Sequence, residues 1–174
     1  MTGIVYIACS LDGYIARKDG SLDWLPASSE SDFGFGEFLA SVDALVMGRN
    51  TYDMVISFDS WGYGETPVFV LSHRPITLPG DSNARVASVS GSPAVVVAEL
   101  AARELKNLYI DGGETIQTFL RAGQIQRIIV TRIPVLLGSG IPLFGKLEND
   151  VQLKCIRSEL LPGGLEQAEY EVAA

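Results

Sequence analysis

Five runs of β-branched and aliphatic residues, at 4–9, 44–47, 68–71, 108–110 and 128–133, constrain this chain more than any other feature. Runs this short and continuous read as buried strands, and several end in a Gly, Ser or Asp turn followed by a helical pattern. That alternation is the grammar of parallel α/β units, in which helices cover the sheet. Helices fit at 32–40, 51–55, 93–103 and 115–122. Ser92 followed by Pro93 is a good start for the third: serine can cap the first turn, and proline loses no needed donor at the first position.

The C-terminal part changes period. Val151, Leu153 and Cys155 alternate with Gln152 and Lys154, Leu161-Pro162-Gly163-Gly164 turns, and Ala168, Tyr170 and Val172 alternate with Glu169 and Glu171. This is a closing antiparallel hairpin. The expected architecture is α/β: a mostly parallel central sheet with an antiparallel C-terminal hairpin. The chain has 174 residues and no linker, internal repeat or low-complexity segment, so residues 1–174 read as a single domain. The glycine- and aromatic-rich loop at 57–66 is too short to divide it.

Composition narrows the partners. An apolar content of 47% with 20% charged residues is that of a globular chain with a core of its own, not a disordered or fibrous one. Thirteen Lys and Arg against twenty-one Asp and Glu leave a net charge of −8, so neither nucleic acid nor an anionic membrane is an expected partner. Cys9 and Cys155 lie far apart in apolar stretches and read as buried thiols. His73 is the only histidine, and a zinc site would need it and both cysteines to converge from distant segments, so no metal is expected. No apolar run approaches the ~18 residues of a spanning helix, and the first residues lack the basic start of a signal peptide, so the expected location is the cytoplasm.

Familiar ligand motifs are absent or broken. Residues 140–146 begin like a phosphate-binding loop, but Leu147 stands where a hydroxyl must bind magnesium, and Pro142 with its apolar neighbours suits no phosphate cradle. The Gly-x-Gly pairs at 34, 62 and 138 lack the third glycine of a dinucleotide fingerprint. A serine-hydrolase elbow is missing too.

Three strand-to-turn segments are more informative. Gly48-Arg49-Asn50-Thr51 places a glycine, a cation and a hydroxyl at a helix start, where unpaired amides and the positive dipole end hold phosphate; an ordinary capped turn would look the same. Ser72-His73-Arg74, following Leu71, again offers a hydroxyl and a planar guanidinium suited to a phosphate monoester. His73 either stacks on a purine ring or faces water. Asp111-Gly112-Gly113-Glu114-Thr115 allows very close backbone approach before another helix. Ligands of open α/β sheets sit outside the carboxyl ends of the strands, so all three turns can share one crevice.

These residues resemble the dihydrofolate reductase superfamily, and within it the reductase domain of the bifunctional riboflavin-biosynthesis deaminase-reductase. The matching stretches are 10–16 (Ser-Leu-Asp-Gly-Tyr-Ile-Ala), 23–25 (Asp-Trp-Leu), 46–52 (Val-Met-Gly-Arg-Asn-Thr-Tyr), 109–113 (Tyr-Ile-Asp-Gly-Gly) and 133–144, and they span nearly the whole chain. The resemblance implies a three-layer dihydrofolate reductase-like fold and an NADPH-dependent reductase acting on a small pyrimidine-, pterin- or sugar-like substrate. It implies that Gly48, Arg49, Asn50 and Thr51 receive cofactor phosphates and that Leu71, Ser72, His73 and Arg74 surround the adenosine 2′-phosphate. Gly112, Gly113, Glu114 and Thr115 would contact cofactor, the double glycine often through a cis peptide, and the backbone of Ala8 and Ile15 would face the nicotinamide carboxamide. Similar domains commonly form homodimers through sheet edges or the C-terminal hairpin.

The departures bear on the substrate. Folate-reducing relatives place an acid soon after the tryptophan-x-leucine-proline stretch; after Trp24-Leu25-Pro26-Ala27 this chain has Ser28. Glu30 or Asp32 can supply the carboxylate, and Asp32 is preferred because Phe35, Phe38 and Leu39 give its segment an inward face. Asp32 is then the expected catalytic acid, against the plainer reading of a helix-capping aspartate. Trp24 would wall the substrate pocket or simply be core; Thr131 matches a folate-site threonine or is a plain strand residue. No deaminase signature is present. The alternatives to a riboflavin-type reductase are dihydrofolate reduction and a non-catalytic NADPH-binding module.

Overall fold

The computed structural model describes residues 1–26, 32–81 and 83–173. Ser28 and Glu30 lie outside the described residues. In chain order the elements are β1 (Thr2–Ser10), β2 (Tyr14–Ala16), α1 (Phe35–Ala40), β3 (Ala44–Gly48), α2 (Arg49–Val55), β4 (Val68–Leu71), β5 (Val86–Val89), α3 (Pro93–Ala102), β6 (Asn107–Asp111), α4 (Gly113–Arg121), β7 (Arg127–Ile133), β8 (Ile141–Pro142), β9 (Leu153–Leu161) and β10 (Leu165–Val172). Eight strands form one sheet in the order β5-β4-β3-β6-β1-β7-β10-β9, parallel except that β10 runs against both its neighbours. The expected strands and the closing hairpin are all present.

The two faces are covered separately. On one, Val96 and Leu100 of α3 and Ile116, Phe119 and Leu120 of α4 pack on Val5, Val46, Ile110 and Val130. On the other, Phe38 of α1 and Tyr52 of α2 pack on Ile4, Leu45, Val68 and Tyr109. This is why β3 and β4, and β6 between Asn107 and Asp111, are apolar: each is buried on both sides. Ser92 caps α3 through Val95 N–H, with Pro93 in its first turn.

One topological detail positions the site. β1 pairs with β6 only from Thr2 to Ile4, then continues to Ser10 on β7 alone. Beyond Ile4 and Tyr109 the two central strands part, which leaves a crevice at their carboxyl ends. Asp12 ties down the loop beside it: Ser10 Oγ donates to its carboxylate at 2.6 Å, as do the amides of Leu137 and Gly138 at 3.1 and 2.7 Å. These bonds, the serine's first, hold the Asp12 carboxyl below its usual range.

Three expectations need correction. Cys155 is exposed, because β9 lies beyond the reach of any helix and shows eight of its nine residues to solvent. α1 begins at Phe35, so Asp32 precedes the helix. The described residues contain no cis peptide, and Gly112 makes its turn with φ +92° and ψ 134° instead. β5 and the two-stranded ribbon of β2 and β8 were not anticipated.

Candidate active site and cofactor cleft

The glycines show how closely the turns pack. A Cβ on Gly48 would lie 2.8 Å from Thr115 Oγ1, and one on Gly112 would lie 2.4 Å from Thr51 Oγ1. Each turn therefore seats the hydroxyl of the other against bare backbone, and the starts of α2 and α4 open on one cleft of about 470 Å³. Gly48, Arg49, Asn50 and Thr51 line it on one side, and Gly112, Gly113, Glu114 and Thr115 on the other. Leu71, at the end of β4, joins them. Ile15 reaches over the double glycine, since a Cβ on Gly113 would meet Ile15 Cδ1 at 2.9 Å.

The third turn meets the first through Arg49. Its Nη1 donates to Ser72 Oγ at 3.4 Å and to the Pro75 carbonyl at 3.0 Å. Ser72 Oγ in turn accepts from Arg74 N–H at 3.1 Å and donates to the Arg74 carbonyl at 2.8 Å. His73 and Arg74 are exposed, and neither lines the cleft itself. The turn at Gly91 and Pro93, leading into α3, does line it and was missed because β5 was missed.

On the face covered by α1 the chemistry changes. Ala8 sits opposite Thr131 in the sheet. Thr131 Oγ1 accepts from Gln167 Nε2 at 3.0 Å, and the same amide group donates to the Phe33 carbonyl at 3.1 Å. Tyr6 donates its hydroxyl to that carbonyl too. Two donors on one carbonyl help hold Phe33 at φ +54°, a backbone region aromatic residues rarely visit. Thr131 is thus buried and engaged. Trp24 is half-buried, and its indole N–H is buried without an acceptor among the described residues.

The two carboxyls differ in kind. Asp32 is exposed and accepts the amides of Gly34 at 2.9 Å and Gly36 at 3.0 Å, bonds that hold it below the usual carboxylate range. Asp32 is not the N-cap, which is Gly34, but its carboxylate is engaged by backbone at the start of α1, and that opposes a role as proton donor. Asp111, closing β6 ahead of the double glycine, is pushed up to about 6 by burial, although the Gly112 amide and the Tyr109 hydroxyl work the other way. The hydroxyls of Tyr63 and Tyr109 are raised in turn, by burial first and by Asp111 next. An acid ending an apolar strand run was a visible signal for Asp111. Its aromatic neighbour Tyr63, from a distant loop, was not.

The RibD C-terminal domain family matches residues 1–166. The chain belongs to that family. YwjB of Bacillus subtilis is 36% identical over 154 residues, 87% of each chain, and YyaP of the same organism is 28% identical over 182 residues, 96% of this chain and 93% of that one. A candidate riboflavin biosynthesis protein of Shewanella sp. PV-4 superposes with a TM-score of 0.91 at 46% identity, over all of both chains. The Thermotoga maritima diaminohydroxyphosphoribosylaminopyrimidine deaminase/5-amino-6-(5-phosphoribosylamino)uracil reductase gives a TM-score of 0.80 at 16% identity, over 99% of this chain and 56% of that one. The fold of this family member is therefore the dihydrofolate reductase-like α/β fold of RibD reductases.

The cleft suits the nicotinamide dinucleotide such reductases use. The nine-residue α4 opens on the cleft with its first amides, which suit a pyrophosphate. Arg49 supplies positive charge in the cleft wall. Glu114, an acid in the first turn of α4, is exposed at the rim.

Proposed function

We propose that this chain is a single-domain NADPH-dependent reductase. It would reduce a small pyrimidine-, pterin- or sugar-like carbonyl or imine related to 5-amino-6-ribosylaminouracil phosphate. The observation behind this reading is the reciprocal packing of Gly48 on Thr115 and of Gly112 on Thr51, which brings two strand-end turns onto one cleft. When bound, the cofactor supplies a hydride. Thr51 and the Gly112-Gly113 backbone hold the pyrophosphate, while Arg49, Ser72 and Arg74 hold the 2′-phosphate. Ile15 and Ala8 border the nicotinamide, and Trp24 walls the acceptor pocket.

Asp111 is the proton source in this reading. A carboxyl raised to about 6 keeps part of its population protonated near neutrality. The Tyr6, Gln167 and Thr131 network forms the polar floor of the pocket. Asp32, engaged by two backbone amides, is not the proton source in this reading.

Free Cys9 and Cys155 fit a reducing compartment, and the cytoplasm is the proposed location. Among the described residues no helix is long and apolar enough to cross a membrane. A homodimer belongs to the same proposal, paired along the exposed edge of β9.

Thermal shift with NADPH against NADH tests the assignment. NADPH at a hundredfold excess over its Kd should stabilise by about 2.7 kcal/mol, or roughly 5–11 °C at this chain length. NADH should give a clearly smaller shift; an equal one would remove the 2′-phosphate clamp.

A further inference from the structure

Arg49 begins α2 and Asp53 stands in its last turn, and Arg49 Nε donates to both oxygens of the Asp53 carboxylate at 2.9 Å. As a helix-stabilising pair this arrangement is reversed. A cation at the N-terminus and an anion near the C-terminus both oppose the helix dipole, and the acid-before-base order favoured at this spacing is inverted. Both side chains are also solvent-accessible, at 26% and 47%, so the pair contributes little to stability. Stability does not account for it.

Geometry does. Nε is held by Asp53, and Nη1 by Ser72 Oγ and the Pro75 carbonyl. Among the described residues Nη2 has no acceptor. The guanidinium is thus fixed on two of its edges and offers the third, beside the turn that carries Arg74. We infer that Asp53 is a positioning residue that orients Arg49 for a phosphate monoester on the bound nucleotide and so sets the preference for a phosphorylated cofactor. This rests on the reading of the cleft as an NADPH site. Asp53 touches no ligand itself. Its own charge works against an approaching phosphate, so the gain is in holding a flexible side chain ready before binding.

Two substitutions separate those effects. Asp53→Ala removes both the anchor and the negative charge; Asp53→Asn removes the charge but keeps an oxygen to accept from Nε. Binding is measured by titration with NADPH, NADH and 2′,5′-ADP, which carries the monoester without nicotinamide, after a melting curve shows each variant folded. Asp53→Ala should weaken 2′,5′-ADP and NADPH about fivefold, mid-range for ordering one long side chain, and leave NADH unchanged. Asp53→Asn should bind 2′,5′-ADP at least as well as the wild type. Undiminished binding of 2′,5′-ADP to Asp53→Ala, or an equal loss for NADH, would overturn the role of Asp53 while leaving the cofactor assignment standing. Wild-type protein with no preference for NADPH would overturn both.

Discussion

β6 and β9 lie in the same sheet and lead opposite lives. β6 has five residues, three of them fully packed between helix layers, and ends at Asp111, one residue before the Gly112 and Gly113 that line the cleft. β9 has nine residues, pairs only with β10, and exposes eight. The buried strand carries its chemistry at its tip, where backbone runs out and a turn begins. The exposed one has only its edge and side chains to offer. Burial on both faces is what makes a strand end precise enough to hold a ligand.

Two glycines with similar positive φ put that contrast to the hardest test. Gly112 ends β6 at φ +92°, and Gly163 turns between β9 and β10 at φ +82°. Nothing lies within 4 Å of a Cβ at Gly163, whereas one at Gly112 would run into Thr51. Gly163→Ala should cost only the left-handed strain, about 1 kcal/mol. Gly112→Ala adds a clash that must move either turn, and should cost about 3 kcal/mol or more and abolish NADPH binding. Chemical denaturation and cofactor titration of both variants measure the difference; equal losses would mean the crevice is no more demanding than the hairpin.

Asp111 gives the next largest effect, and its sign follows from its raised carboxyl. The folded state keeps a proton that the unfolded chain, with an ordinary aspartate near 3.9, releases sooner. Stability from this group is complete below about pH 4 and is lost as pH rises through about 6. Asp111→Asn should therefore be more stable than wild type at pH 8, by on the order of 1–3 kcal/mol, and gain nothing at pH 4. Turnover should fall above about pH 6 in the wild type and be largely lost in the variant. Asp32→Asn serves as the control, with the pH profile of turnover unchanged.

The same contrast explains what could be read before the structure. Runs apolar on both faces announce themselves, so β1, β3, β4, β6 and β7 were legible, and so were the turns after β3, β4 and β6. β5 was not, because Ala87 and Ser88 face solvent between its two valines and leave no pattern. β2 and β8 are too short to show a period. Cys155 misled because alternation in a strand marks a face without saying whether any helix covers it. Asp32 and Asp111 could not be ranked from sequence: one carboxylate turns back on Gly34 and Gly36, and the other is desolvated by residues distant along the chain.

The edge of β9 carries the smallest expected effect and the most selective one. Leu160 is 80% exposed, with Leu153 and Ile156 also showing, so a second copy paired on this strand would cover apolar surface that the described residues leave open. Paired antiparallel about Ser158, each Arg157 would face a Glu159 of the partner subunit, adding a cross-chain bond to the 3.2 Å contact the two make within one chain. Light scattering should then report a dimer. Leu160→Lys should weaken it by about tenfold or more, given what burying a leucine contributes, while leaving NADPH affinity and melting of the isolated subunit nearly untouched. A monomeric wild type would remove the dimer from the proposal. A Leu160→Lys protein that lost cofactor affinity would do more, by showing that the edge and the crevice are coupled rather than separate.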